Sequence, residues 1–148
     1  AKNNRDVLFL IKSKSYLWLE INFFKEIVND FKKVKNVEIL SDQAKWTPSN
    51  CIKSTDFGIG LMTSLADEML ILDKPVIIFE SEDFPSCFLD YGPDIISKSF
   101  EDLNVKVQTI KSDLKFYNDK LNSVRVKFYK QFNIEKFSAE LNKLSLNL

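Results

Sequence analysis

The sequence predicts an α/β protein of the Rossmann-like kind, in which a parallel sheet lies between layers of helix and further helices close the C-terminal end. Three observations carry this. Short runs that are apolar throughout, Val7-Leu8-Phe9-Leu10-Ile11 and Val76-Ile77-Ile78-Phe79, read as strands covered on both faces. They alternate with stretches whose apolar residues recur every three or four positions, the period of a helix. Glycine is scarce, three in 148 residues, so each is expected where the backbone demands it.

The first strand spans Asp6 to Ile11, and a polar break follows at Lys12-Ser13-Lys14-Ser15. Leu17, Ile21, Phe24, Val28 and Phe31 then mark one face of a helix over residues 16–33, with Ser15 as N-cap and Lys32-Lys33 suiting the C-terminal dipole. Val37-Glu38-Ile39-Leu40 is the second strand. After the loop Ser41 to Trp46, Thr47 caps a short helix that has Pro48 at its first position. Asp56 to Gly60 is the third strand, and a helix starts at Thr63 or Ser64 and runs to about Leu72. Pro75 to Phe79 is the fourth strand and Ile95-Ile96 a short fifth. Phe100, Leu103, Val107, Ile110, Leu114, Tyr117, Leu121, Val124 and Phe128 form one helical seam, opened by the capping pair Ser99 and Asp102. The seam suits helices packed on the sheet, broken near Asn118-Asp119, better than a coiled coil. Phe132, Phe137 and Leu141 carry a last short helix.

Composition excludes several functions. Lys and Arg together number 21, as do Asp and Glu, and no basic tract exists, so a dedicated nucleic-acid binder is not expected. Histidine is absent, which removes His-based triads and His metal sites. No apolar run is long enough for a transmembrane helix. The start, Ala1-Lys2-Asn3-Asn4, lacks both a signal h-region and an initiating Met, which suggests a processed chain or an excised fragment. Cys51 and Cys87 form no CxxC and read as small buried residues in a reduced compartment. A chain of this length suits one domain, spanning residues 1–148, that needs no staples.

In an open parallel sheet, ligands bind outside the carboxyl ends of the strands. Four loops lie there: Lys12 to Ser15, Ser41 to Thr47, Gly60 to Ser64, and Glu80 to Pro85. The third is the most informative. A strand ends on Gly60, the turn Leu61-Met62-Thr63-Ser64 follows, and a helix begins. Free backbone N–H groups and small hydroxyls there suit a phosphate, and Gly60 lets a diphosphate approach the backbone. Glu80, Glu82 and Asp83 read as a solvated acidic loop, so no metal is expected.

The stretch Thr55 to Ile77 resembles the C-terminal, nucleotide-binding half of GT-B glycosyltransferases, whose helix has the form Glu-Ala-Leu-x-x-Gly-x-Pro-Val-Ile. Glu68 takes the acidic place and Lys74-Pro75-Val76-Ile77 the end. The spacing is also similar to that of teichoic-acid CDP-glycerol glycerophosphotransferases, with Asp56 at the first position of Asp-x-x-x-x-Asp-Tyr-Ser-Ser and Thr63-Ser64 on the paired serines. The likeness extends over about residues 6–145 and takes in capsule and lipopolysaccharide transferases.

The resemblance implies that Gly60, Met62, Thr63 and Ser64 cradle the donor phosphates and that Glu68 accepts hydrogen bonds from the ribose hydroxyls. It implies phosphate contacts from Lys12 and Lys14, and Trp46 stands where a base could stack. Solvated lysines, a solvated Glu68 and a Trp that plugs the surface are the alternatives at those positions. The chain departs from the pattern at three places. Gly60 replaces the first acid of Glu-x7-Glu, Leu61-Met62 replaces Asp-Tyr, and Asp73 replaces the helix-ending Gly.

The expectation is therefore the donor-nucleotide half of a glycosyltransferase or polyol-phosphate transferase of bacterial surface-polysaccharide assembly. It would be cytoplasmic, would reach the inner membrane only peripherally, and would need a nucleotide-sugar substrate but no cofactor. The N-terminal acceptor domain would lie elsewhere, no catalytic residue is assigned, and the chain alone would bind donor weakly without turnover. The rivals are a non-catalytic Rossmann-like interaction module and a sugar-nucleotide epimerase domain.

Overall fold

The computed structural model describes residues 1–13, 15–61, 63–80 and 92–131. Its strands are all parallel, but they form a pair and a triplet rather than one sheet. The chain divides accordingly into two compact units, Ala1–Ser54 and Thr55–Leu148. Both are mixed α/β, compatible with a Rossmann-like fold.

In the N-terminal unit, β1 (Phe9–Ile11) pairs with β2 (Val37–Ile39), Phe9 opposite Val37 and Ile11 opposite Ile39. The helix between them, α1 (Asn22–Lys33), starts six residues later than the periodicity predicts. Two bonds, one local and one to a distant residue, explain the delay. The Ser15 hydroxyl accepts from the Leu17 N–H at 3.3 Å, and the Tyr16 hydroxyl donates to the Leu40 carbonyl. These hold the chain in a single 3-10 turn at Leu17–Leu19 instead of an α-helix. Ile21, not Ser15, is the N-cap of α1, and it makes no side-chain cap bond. The α2 helix (Pro48–Lys53) starts as expected, with the Thr47 hydroxyl accepting from the Asn50 N–H at 3.2 Å. The Asn36 amide donates to the carbonyls of Asn4 and Val7, each at 2.8 Å, and so ties down the segment that leads into β1.

In the C-terminal unit, β3 (Gly58–Gly60), β4 (Val76–Phe79) and β5 (Ile96–Ser97) lie in that spatial order, with Gly60 level with Ile78 and Phe79 with Ser97. Between β3 and β4 runs α3 (Leu65–Ile71). It packs Met69 over Gly58, where an added Cβ would lie 2.9 Å from the Met69 Cε. Past its end, the Lys74 N–H bonds the Met69 carbonyl at 2.9 Å and the Asp73 N–H bonds that of Leu70 at 3.2 Å. This is a Schellman closure, and Asp73 adopts its left-handed position at φ 53°. The departure from glycine at Asp73 is thus one of residue type only, since the backbone keeps the conformation that favours glycine, and a short polar side chain tolerates it.

The C-terminal seam is broken twice, at Asp113 and Leu121, rather than once near Asn118. The result is α4 (Phe100–Ser112), α5 (Leu114–Lys120) and α6 (Asn122–Gln131). Asp113 makes the first break by accepting from the Phe116 N–H at 2.8 Å, which caps α5. The seam packs within its own unit, burying Val107, Ile110, Tyr117, Leu121 and Val124, and α4 lies on β4 and β5. The core also takes in Ala66, Met69, Leu70, Val76, Ile77, Ile78 and Ile95. Arg125 is buried among these helices. Its guanidinium donates to the carbonyls of Leu70 (3.1 Å) and Asn118 (2.9 Å) and to the side chains of Asn122 and Asn118. It thereby adds a second donor to carbonyls at the ends of α3 and α5 that already accept from the Asp73 and Leu121 N–H groups. The expected last helix around Phe132, Phe137 and Leu141, together with Cys87, Glu82 and Asp83, lies outside the described residues.

Candidate nucleotide site

The residues singled out from sequence divide between the units. Gly60, Thr63, Ser64 and Glu68 belong to one strand–turn–helix segment, β3 into α3. Gly60 is buried at the carboxyl end of β3, and a Cβ there would fall 2.8 Å from the Thr63 Cγ2. A side chain at Gly60 would therefore have to displace the Thr63 methyl. The Thr63 hydroxyl accepts from the Leu65 N–H at 3.2 Å and its carbonyl accepts from the Ala66 N–H at 3.2 Å, so Thr63 caps the first turn of α3 locally.

Ser64 is different. It holds helical dihedrals (φ −63°, ψ −13°), and its exposed hydroxyl caps nothing. Among the described residues, the amides of Thr63 and Ser64 donate to no group. Glu68 lies one helical turn beyond Ser64 on the same face and is exposed. No hydrogen bond or ion pair holds its carboxylate among the described residues. The segment thus presents an uncommitted hydroxyl, two N–H groups and a carboxylate. That set suits an anionic group followed by vicinal hydroxyls. Met62 lies outside the described residues.

In the N-terminal unit, the Lys12 ammonium donates to the Ser13 carbonyl at 2.7 Å and sits over the Tyr16 ring, 5.6 Å from its centroid. Its charge is already engaged locally. Trp46 is half-buried, and the Lys45 ammonium lies over its ring at 5.2 Å. A cation on that ring competes with a stacking base. Lys14 lies outside the described residues. The buried Cys51 thiol donates to the Trp46 carbonyl at 3.9 Å, and burial raises its pKa.

Sequence reading placed Phe100 in the apolar seam. The structure puts it outside: it is 73% exposed, and its ring stacks on Phe79 at 5.0 Å between centroids. No local signal marks this, since Phe100 keeps the seam's spacing to Leu103 and Val107 and its place is set by Phe79 on β4. No group of three His, Cys, Asp or Glu could hold a metal ion among the described residues. No helix among them is long and apolar enough to cross a membrane. No family model, curated protein or solved structure matches the chain.

Proposed function

We propose that this chain is the donor-nucleotide-binding half of a glycosyltransferase or polyol-phosphate transferase, acting on a nucleotide-sugar in bacterial surface-polysaccharide assembly. The turn from Gly60 to Ser64 receives the diphosphate and Glu68 the ribose hydroxyls. The observation that carries the reading is the set of uncommitted groups on that segment: the Ser64 hydroxyl, the Thr63 and Ser64 amides, and the exposed Glu68 carboxylate. In transfer, these groups stabilise the leaving nucleoside diphosphate as its charge develops. The acceptor and any catalytic base come from a separate N-terminal domain, as in a two-domain, three-layer GT-B enzyme. The setting is the cytoplasm, with peripheral contact at the inner membrane made through that acceptor half.

A thermal-shift screen against UDP, CDP, CMP, GDP and ADP tests the reading. A nucleotide present at about 100 times its Kd adds about 2.7 kcal/mol of stability. A shift selective for one base, lost in Ser64→Ala and Glu68→Ala, supports the site. No shift with any of the five, from a protein that melts cooperatively, rejects it. A second reading, a non-catalytic interaction module, draws on the exposed apolar side chains of the N-terminal unit, Leu8, Leu17, Ile21, Phe23 and Ile27. It expects no nucleotide shift.

A further inference from the structure

We propose that Phe100, backed by Phe79, is the surface on which the base of the bound nucleotide stacks; this rests on the nucleotide-binding reading above. Phe79 ends β4, and Phe100 opens α4 just after β5. Their rings are 25° from parallel with centroids 5.0 Å apart, so Phe79 covers one face of Phe100 and fixes its plane. The rest of the Phe100 side chain faces solvent.

An apolar ring this exposed adds little to the core, yet its backbone is strongly anchored. The Ser99 hydroxyl accepts from the Asp102 N–H at 3.1 Å, and the buried Ser97 hydroxyl donates to the Asp102 carboxylate at 2.8 Å. Lys106 donates to both oxygens of that carboxylate, at 2.7 and 2.6 Å. A flat aromatic face held on a rigid first turn meets a planar partner at small entropic cost.

The position also fits. The three strands are parallel, so their carboxyl ends share one edge of the sheet, with Gly60 at the end of β3 and Phe100 following β5. Two inter-strand spacings, about 10 Å, separate the outer strands. That is the span an extended nucleotide covers between its diphosphate and its base. The Phe79–Phe100 pair thus takes the role expected of Trp46, whose own ring already faces the Lys45 ammonium. A ring face is indifferent to hydrogen-bonding edges, so it holds purines and pyrimidines alike.

Isothermal titration of the 148-residue chain with UDP, CDP, GDP, ADP and inorganic pyrophosphate tests this in wild type, Phe100→Ala and Phe100→Tyr. The expected result is a roughly 5- to 100-fold loss of nucleotide affinity in Phe100→Ala. Pyrophosphate affinity should stay unchanged, and Phe100→Tyr should keep the wild-type value. Unchanged nucleotide affinity in Phe100→Ala, with Ser64→Ala still weakening it, overturns the stacking role and leaves the nucleotide site standing. An equal loss for pyrophosphate also overturns it, since a base platform does not touch phosphate. A wild-type chain that binds none of the nucleotides overturns the site and the platform together.

Discussion

β1 and β4 look alike as sequence, each a run of large apolar residues, yet they meet different fates. Val76, Ile77 and Ile78 of β4 are all buried, whereas Phe9, Leu10 and Ile11 of β1 are only half-buried. The difference lies in their neighbours. β4 has a parallel partner on each side, with α3 and α4 packed on it, while β1 has β2 alone as a strand partner. The same contrast runs through the two units. The N-terminal unit leaves Leu17, Ile21, Phe23 and Ile27 exposed around α1, and only Val28 of that helix is buried. The C-terminal unit closes a core from both α3 and the seam helices. A continuous apolar run therefore identifies a strand, and its place in the sheet decides how much of it leaves water.

The sharpest way to break this comparison is a matched pair of truncations. Ile77→Ala should cost about 2–5 kcal/mol, as expected for a fully buried side chain, and Leu10→Ala about 1 kcal/mol. Equal losses in urea unfolding would mean that β1 is as deeply covered as β4. Next comes the polar counterpart of that core. Arg125→Met should cost about 2–3 kcal/mol, because it removes charge-assisted hydrogen bonds to the Leu70 and Asn118 carbonyls and to the side-chain oxygens of Asn118 and Asn122. Arg125→Lys should recover little of this, since one ammonium cannot replace the planar fork. A neutral Arg125→Met would show that the helix ends find water instead.

Smaller effects are expected at the edges of the same unit. Asp73→Ala keeps a Cβ at a left-handed position but removes the polar group that compensates it, together with the 3.3 Å contact to Arg125, for about 1 kcal/mol. Asp73→Gly should be milder, and a larger loss there than in Asp73→Ala would refute the closure argument.

Two groups should give the stability of the C-terminal unit its pH dependence. The Lys106 ammonium bonded to Asp102 holds that carboxyl below the usual range, helped by Ser97 and opposed by partial burial. Its contribution is present above the unfolded value, about 3.9, and is lost as pH falls through the lower folded value. Asp102→Asn should flatten that acid limb by a few tenths of a kcal/mol, the size of an (i, i+4) pair. Burial, then the charges of Asp94 and Asp102, raise the Tyr117 phenol, whose hydroxyl donates to the Asp94 carbonyl at 2.9 Å. Its contribution is complete below about pH 10 and falls as pH rises above that. Melting Tyr117→Phe across alkaline pH should remove the decline, and a decline that persists would point to another group.

Local chemistry was legible where one residue settles its own backbone. Thr47 before Pro48 and Ser99 before its helix cap as their residue types require, and Gly60 sits where a Cβ would meet the Thr63 methyl. Chain order also implied parallel strands separated by helices. Legibility ended where a distant partner intervened. Tyr16 bonds across to Leu40 and delays α1, a contact 24 residues away in the chain. Lys45 occupies the Trp46 ring that the family resemblance offered to a base. Phe100 follows the seam's spacing but stacks outward on Phe79.

What the sequence determined by itself is the identity of its segments, because capping, period and turn chemistry act within a few residues. Tertiary structure alone decided that the strands split into a pair and a triplet, that Arg125 is buried, and which side chains near Ser64 remain uncommitted. Those outcomes depend on burial and hydrogen bonding between segments far apart in the chain, and no local pattern encodes which partner arrives.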